Sequence, residues 1–231
     1  MTWDRGRRRG PEGRGSAVVK VRSTRRRKAS STQWLSRQLN DPYVAEARRL
    51  GYRSRAAFKL IELDERFRLL RPGRRVVDLG CAPGGWAEVA VARVGRRGRV
   101  VGIDVAETAP LPGATLLSAD IRDFATPASL TAALGGLADI VLSDVAPPAT
   151  GHAATDHLRI VALAEDAFAV ASQILKPGGA FVAKVFQGGT EGALLVALKR
   201  DFVELRHAKP PASRAESAET YVVASGFRGG R

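Results

Sequence analysis

Four aspartates and one lysine fall where short β-type runs of this 231-residue chain end. Asp78 closes the run beginning "RVV", Asp104 closes "RVVGID", Asp120 closes "ATLLSAD", Asp144 closes "DIVLSD", and Lys184 stands late in "GAFVAKVF". A carboxylate at such a place can accept hydrogen bonds from hydroxyl groups or balance a cationic ligand. A lysine inside an apolar run must be paired or used, because an unpaired buried ammonium is costly and tends to give up its proton. Any one of these aspartates could simply begin a turn or cap a helix. Five ionisable groups on one rim are harder to explain that way, since their combined desolvation and repulsion require a compensating ligand.

The segment after the first run, "DLGCAPGGW" (78–86), is glycine-rich between a strand and a helix, so its backbone can approach a nucleotide-like ligand closely. It departs from the dinucleotide fingerprint. Setting Gly80 as the first glycine of G-x-G-x-x-G puts Ala82 where the second should let a pyrophosphate come near. A nucleoside without a pyrophosphate fits better, with Asp104 placed to accept from two ribose hydroxyls; that role serves NAD and S-adenosylmethionine equally. Cys81 reads as a small packing residue, since no histidine stands beside it in the motif and no cation is evident to stabilise a thiolate.

These groups must be positioned by the elements around them. From residue 75 onward, β-branched runs alternate with helical segments for 150 residues, which predicts an α/β fold with a doubly wound, mostly parallel sheet and helices on both faces. In such sheets ligands sit at the carboxyl ends of the strands, where the ionisable groups cluster. Ahead of the sheet, "SRAAFKLIELDERFRLL" (54–70) has apolar residues on one helical face, Ser54 as the expected N-cap and Lys59 within it.

The net charge of +14 is unevenly placed. Residues 1–33 hold 11 Lys/Arg against 2 Asp/Glu, residues 34–75 hold 11 against 5, and the remainder 15 against 16. The front is a polycation and the back is neutral. Residues 1–33, rich in Arg, Gly and Ser without apolar periodicity, read as a disordered basic arm of the kind that meets nucleic acid. Residues 34–231 read as a single domain, the length and 45% hydrophobic content being enough for one good core. One cysteine allows no intrachain disulfide, the three histidines lack metal-ligand spacing, and no apolar run suits a membrane span or secretory signal. The expectation is a cytoplasmic monomer with no metal and no membrane association.

"VVDLGCAPGGW", "LSDVAPPATG", "LKPGGAFVAKVFQG" and "SRAESAETYVVASG", with "DPYV" and "GYRSRAAFKL" before them, resemble the FtsJ-type ribosomal RNA 2′-O-methyltransferases over roughly residues 31–228. That resemblance implies a Rossmann-like class I S-adenosylmethionine-dependent methyltransferase fold with a seven-stranded sheet. It implies a catalytic set of Lys59, Asp144, Lys184 and Glu219, and cofactor contacts at Gly84, Trp86, Asp104, Asp120 and Asp144. It further implies, as substrate, a uridine ribose of 23S ribosomal RNA in the large ribosomal subunit; a transfer or messenger RNA substrate is the alternative. Lys184 is then the expected base, the alternative being that it stays charged and only steers the hydroxyl oxygen, with proton loss to water after methyl transfer. A second cation, Lys59, and partial desolvation favour loss of its proton, while Asp144 and Glu219 orient the two lysines. Glu216 leaves open which acid points inward. Arg53 and Arg55 are candidates for an RNA-facing surface or for ordinary solvated side chains. An NAD-dependent oxidoreductase would need the glycine that Ala82 replaces and gives no role to the two lysines, and a silent RNA-binding assembly factor would not need all four catalytic positions.

Overall fold

In the computed structural model, which describes residues 39–147, 150–186 and 192–229, the strand-and-helix alternation is realised as one seven-stranded sheet. The basic arm expected at 1–33 lies outside the described residues. Helices α1 (Pro42–Leu50) and α2 (Ala56–Phe67) precede β1 (Arg75–Leu79), α3 (Gly85–Val94), β2 (Arg99–Asp104) and β3 (Ala114–Ser118). There follow α4 (Thr126–Leu134), β4 (Ala138–Ser143), α5 (Ala153–Ile174), β5 (Leu175–Phe186), α6 (Gly192–Asp201), β6 (Phe202–Ala208) and β7 (Glu219–Phe227). Strand order is β3-β2-β1-β4-β5-β7-β6, and β7 alone runs antiparallel to its neighbours. The expected mostly parallel sheet with helices on both faces is what forms.

Both faces are apolar because both are covered. Val77, Leu79, Val101, Ile103, Val141, Phe181 and Ala183 pack under α4, α5 and α6, whereas Val76, Val100, Ile140, Leu142, Val182 and Val223 pack under α2 and α3. Leu60 and Leu63 of α2 are buried in this second layer. Each contributes on the order of 1.5–3 kcal/mol by leaving water, which fixes α2, and with it Lys59, over the sheet.

The period of two decides where the ionisable groups go. Asp78 shares the face of Val76, Asp144 continues that of Ile140 and Leu142, Lys184 that of Ala180 and Val182, and Glu219 that of Tyr221 and Val223. All four therefore point toward the α2 and α3 layer. Register then brings them level: Ser143 lies beside Ala183, Lys184 opposite Tyr221, and Phe186 opposite Glu219.

Local details depart from the sequence reading. Ser54 does not cap α2: Arg55 occupies that position with helical backbone and no side-chain cap, and the Ser54 hydroxyl is buried without a hydrogen-bond partner among the described residues. The helix ends at Phe67 instead of Leu70 because Arg68 turns into the left-handed region (φ 55°), while the Asp64 carboxylate accepts from the Leu70 N–H at 2.6 Å. Asp78 lies inside β1, not at its end, and Asp120 lies in the turn two residues past β3.

Candidate active site

Lys184 is 7% exposed, and it is paired. Its Nζ donates to the main-chain oxygen of Asp144 at 2.8 Å and to Asp144 Oδ1 at 3.0 Å. Lys59, 8% exposed, reaches the same carboxylate from α2, 3.6 Å from Oδ2, and forms a closer ion pair with Glu219 Oε1 at 2.7 Å. All four residues named by the catalytic motif thus meet at one end of β4, β5 and β7. Asp144 sits between the lysines and Glu219 holds the outer one. Two positive and two negative charges balance, which makes the burial of two ammonium groups tolerable.

Tyr221 completes the group, and the sequence reading missed it. Its hydroxyl donates to Asp144 Oδ1 at 2.7 Å and lies 3.2 Å from Glu219 Oε1, and the Lys59 ammonium lies 5.7 Å from its ring centre. The available signal was its spacing, two residues from Glu219 on a strand and so on the same face. Ser213, also unanticipated, donates to Glu219 Oε1 at 2.8 Å. Glu219, not Glu216, is therefore the acid that faces inward; Glu216 is exposed at the rim of a small cavity of about 240 Å³ lined by Arg55, Lys59, Arg214, Ser217 and Glu219.

Burial by itself would push the Asp144 carboxyl up, but the charges of Lys184 and Lys59 and the Tyr221 hydroxyl outweigh it and hold the group below the ordinary aspartate range. The Tyr221 phenol is driven well above its usual value, first by burial and then by the charges of Asp144 and Glu219. Asp78 behaves oppositely to Asp144. It is 1% exposed, and among the described residues neither carboxylate oxygen has a hydrogen-bond partner; the Ala87 amide faces it without reaching hydrogen-bond geometry. Burial, then the charge of Asp144, lifts it well above the normal range.

The remaining expected cofactor positions lie in the glycine-rich loop, at the end of β2 and just past β3. Gly84 has φ 108°, a conformation side chains rarely adopt, and a Cβ there would lie 2.9 Å from Arg53 Cδ. Asp104 accepts from the Ala82 N–H at 2.9 Å and the Ala106 N–H at 2.8 Å, one on each carboxylate oxygen. Each oxygen keeps a lone pair for a hydroxyl. Asp120 is held by Arg122, whose guanidinium and backbone N–H lower its carboxyl to about 2. The Trp86 indole is 3% exposed and donates to the Ala56 carbonyl at 2.8 Å, so the side chain packs α3 against α2 and only the main chain of Trp86 borders the loop. Cys81 is a packing residue, buried against Gly102, with burial raising its thiol to about 12.

Arg53 and Arg55 serve the fold of this rim. The Arg53 guanidinium donates to the carbonyls of Ala109 and Pro110, both at 2.6 Å, and Pro83 at 3.4 Å, tying the loops after β1 and β2 together. Arg55 pairs with Asp41 at 3.2 Å and donates to the Ala212 carbonyl, so it clamps α1 to the loop before β7. Among the described residues, no group of three or more His, Cys, Asp or Glu side chains is arranged to hold a metal, and no helix is long and apolar enough to cross a membrane.

Comparison with known proteins places the chain in a family. Residues 52–227 match the model of the FtsJ-like methyltransferase family. The chain is 62% identical over 226 residues to the ribosomal RNA large subunit methyltransferase E of Paramagnetospirillum magneticum, covering 95% of this chain and 93% of that protein. It is 60% identical to the enzyme of the same name from Rhodospirillum rubrum, covering 95% and 85%. A crystal structure from Plasmodium falciparum, described as a ribosomal RNA methyltransferase, superposes with a TM-score of 0.70 at 31% identity, covering 78% of this chain and 100% of that one.

Proposed function

From the premise that the chain belongs to the FtsJ-like methyltransferase family, we propose that it moves a methyl group from S-adenosylmethionine to the 2′-hydroxyl of a uridine ribose in 23S ribosomal RNA of the large ribosomal subunit. The observation that carries the chemistry is the linked group Lys184, Asp144, Lys59 and Glu219 at the carboxyl ends of the strands. The names of the relatives support the large-subunit substrate over transfer or messenger RNA.

The residues beside this group suit a cationic nucleoside. Gly84 takes a backbone conformation that suits a tight nucleoside-binding turn, Asp104 keeps lone pairs beyond its bonds to the Ala82 and Ala106 N–H groups, and Asp78 is a buried carboxyl without a hydrogen-bond partner among the described residues. A positively charged ligand next to Asp78 and Asp144 relieves both their repulsion and the desolvation of Asp78. Gly84, Trp86 through its main chain, Asp104, Asp120 and Asp144 would hold it. When bound, S-adenosylmethionine supplies a methyl already activated on a sulfonium, so the protein has chiefly to align the hydroxyl and take its proton.

Lys184 does that work. Two of the three hydrogen positions of its nitrogen are committed to Asp144. In the neutral amine those two N–H bonds leave the lone pair on the remaining side, where it would accept the 2′-hydroxyl proton. Asp144 fixes the direction of that lone pair. Tyr221, Ser213 and Lys59 fix Asp144 and Glu219 in turn. Only RNA offers the hydroxyl. The basic arm of residues 1–33 grips phosphates outside the site with salt-dependent, largely sequence-independent affinity, and the enzyme works as a monomer in the cytoplasm.

The test is transfer of labelled methyl from S-adenosylmethionine to undermethylated large subunits, followed by mapping of the alkali-resistant phosphodiester. Incorporation at one ribose is expected. If wild-type protein binds the cofactor yet labels no large-subunit RNA, the substrate assignment falls, and transfer and messenger RNA become the substrates to examine.

A further inference from the structure

The strongest concentration of charge among the described residues lies away from the site, at the amino ends of the strands. The turn from α2 to β1, "RLLRPGRR" (68–75), and the turn from α3 to β2, "GRRGR" (95–99), hold seven arginines and no acid. The backbone joins them into one surface. The Gly73 N–H donates to the Val94 carbonyl at 2.8 Å, the Arg99 N–H donates to the Arg74 carbonyl at 3.1 Å, and Arg75 pairs in register with Arg99. Arg68, Arg71, Arg75, Arg96, Arg97 and Arg99 are all exposed.

Few of these charges are spent locally. Of the acids on this part of the rim, Asp64 is turned inward to the Leu70 N–H and paired with Arg93 at 3.6 Å, Asp139 is taken by Lys176 and the Arg75 N–H, and Glu65 is exposed. The Arg75 and Arg99 guanidiniums lie over Gly136 and Gly135, at the carbonyl end of α4. Arg68, Arg71, Arg96 and Arg97 have no ion pair among the described residues. Like charges held together this way repel one another, and an arginine fork suits phosphate oxygens.

β1 is five residues long, so this rim stands roughly 15–20 Å from the catalytic rim along the strands. The Debye length at physiological salt is about 8 Å. The patch therefore does little to draw a ribose into the site. We propose that Arg68, Arg71, Arg96 and Arg97 form a second RNA-contacting surface, opposite the catalytic rim, that grips phosphates of a folded RNA extending around both ends of the sheet. This rests on the reading above that the substrate is ribosomal RNA, and adds that the substrate must be large enough to reach both rims.

The full chain carrying Arg68→Gln, Arg71→Gln, Arg96→Gln and Arg97→Gln tests it, beside a control that loses the same charge elsewhere: Lys199→Gln, Arg200→Gln, Arg206→Gln and Arg228→Gln. Binding to undermethylated large subunits and to a stem-loop of about 20 nucleotides carrying the target uridine is measured over a salt series, with methyl transfer at saturating particle and thermal melting in parallel. The patch variant is expected to lower the slope of log K against log salt for the particle by about 3, to leave the stem-loop slope and the saturated methyl-transfer rate unchanged, and to melt as the wild type does. An unchanged particle slope overturns the proposal. So does an equal loss on the stem-loop or in the control, which would mean diffuse attraction by net charge. Failure of the ribosomal reading is a separate result: wild-type protein that neither binds nor methylates the particle.

Discussion

Replacing Lys184 separates proton removal from mere orientation. Lys184→Met keeps an unbranched stem of similar length in the strand while removing the nitrogen that contacts the Asp144 main-chain oxygen at 2.8 Å and Oδ1 at 3.0 Å. Loss of a general base costs typically 10²–10⁴-fold in rate. Loss of a hydrogen bond from a charged group that only steers the hydroxyl costs about 1.5–3 kcal/mol, roughly 10- to 150-fold, so the two ranges overlap. Lys184→Arg resolves the overlap, because a guanidinium retains charge and donors but does not give up a proton. Single-turnover methyl transfer across pH, with cofactor affinity measured separately, is the assay. Proton removal by a general base predicts a wild-type rate that rises with pH. Both variants should lose 10²-fold or more together with that rise, and cofactor affinity should stay within a few-fold of wild type. Lys184→Arg that keeps its rate within tenfold, or a variant that keeps the ascending limb, would refute proton removal by this lysine. The fold should survive the change, since Asp144 retains the Tyr221 hydroxyl at 2.7 Å and Lys59 at 3.6 Å. The acid limb should nevertheless move. Asp144 is held below its ordinary range, so its contribution is present above the unfolded-state value of about 3.9 and is lost as pH falls; without Lys184 that contribution shrinks.

Asp78 should show the opposite sign. Burial raises its carboxyl, so the associated stability is complete below about pH 3.9 and declines as pH rises toward the folded-state value. Asp78→Asn is therefore expected to melt higher than wild type at pH 7–8 without cofactor, with the gap closing near pH 4, and to bind S-adenosylmethionine more weakly; equal melting at pH 8 would contradict this. Tyr221→Phe removes the hydroxyl shared by Asp144 and Glu219 and should cost about 1–3 kcal/mol. Because the phenol is raised, the wild type loses stability above about pH 10, and this loss should be smaller in the variant. An alkaline limb identical in the two proteins would show that the tyrosine does not titrate against its neighbours.

Much of this site was legible before any coordinates. Lys184 could be singled out because a lysine in "GAFVAKVF" violates the pattern around it, and Asp104 because it ends an apolar run. The helix bearing Lys59 announced itself by its apolar face. Other features had no such local signature. Trp86 falls within the glycine-rich motif, but its ring points into the layer between α2 and α3, where a carbonyl takes its N–H. Arg53 and Arg55 have the composition of an RNA-facing pair, and instead bind carbonyls and a carboxylate contributed by residues far along the chain. Ser54 has the right chemistry for a cap, but the helix starts beyond it and leaves its hydroxyl buried.

The sequence by itself determined the alternation of strand and helix, the face on which each strand carries its ionisable residue, and the chemical types present, because periodicity and residue chemistry are local properties. Only the tertiary structure decided that Lys184 and Lys59 share Asp144, that Glu219 and not Glu216 turns inward, that Tyr221 joins them, and that Asp78 is left without a hydrogen-bond donor among the described residues. Those outcomes depend on strand order and register. Asp144 and Glu219 are 75 positions apart in the chain, and they come within reach of one ammonium because β5 runs between their strands and β7 turns back antiparallel beside it.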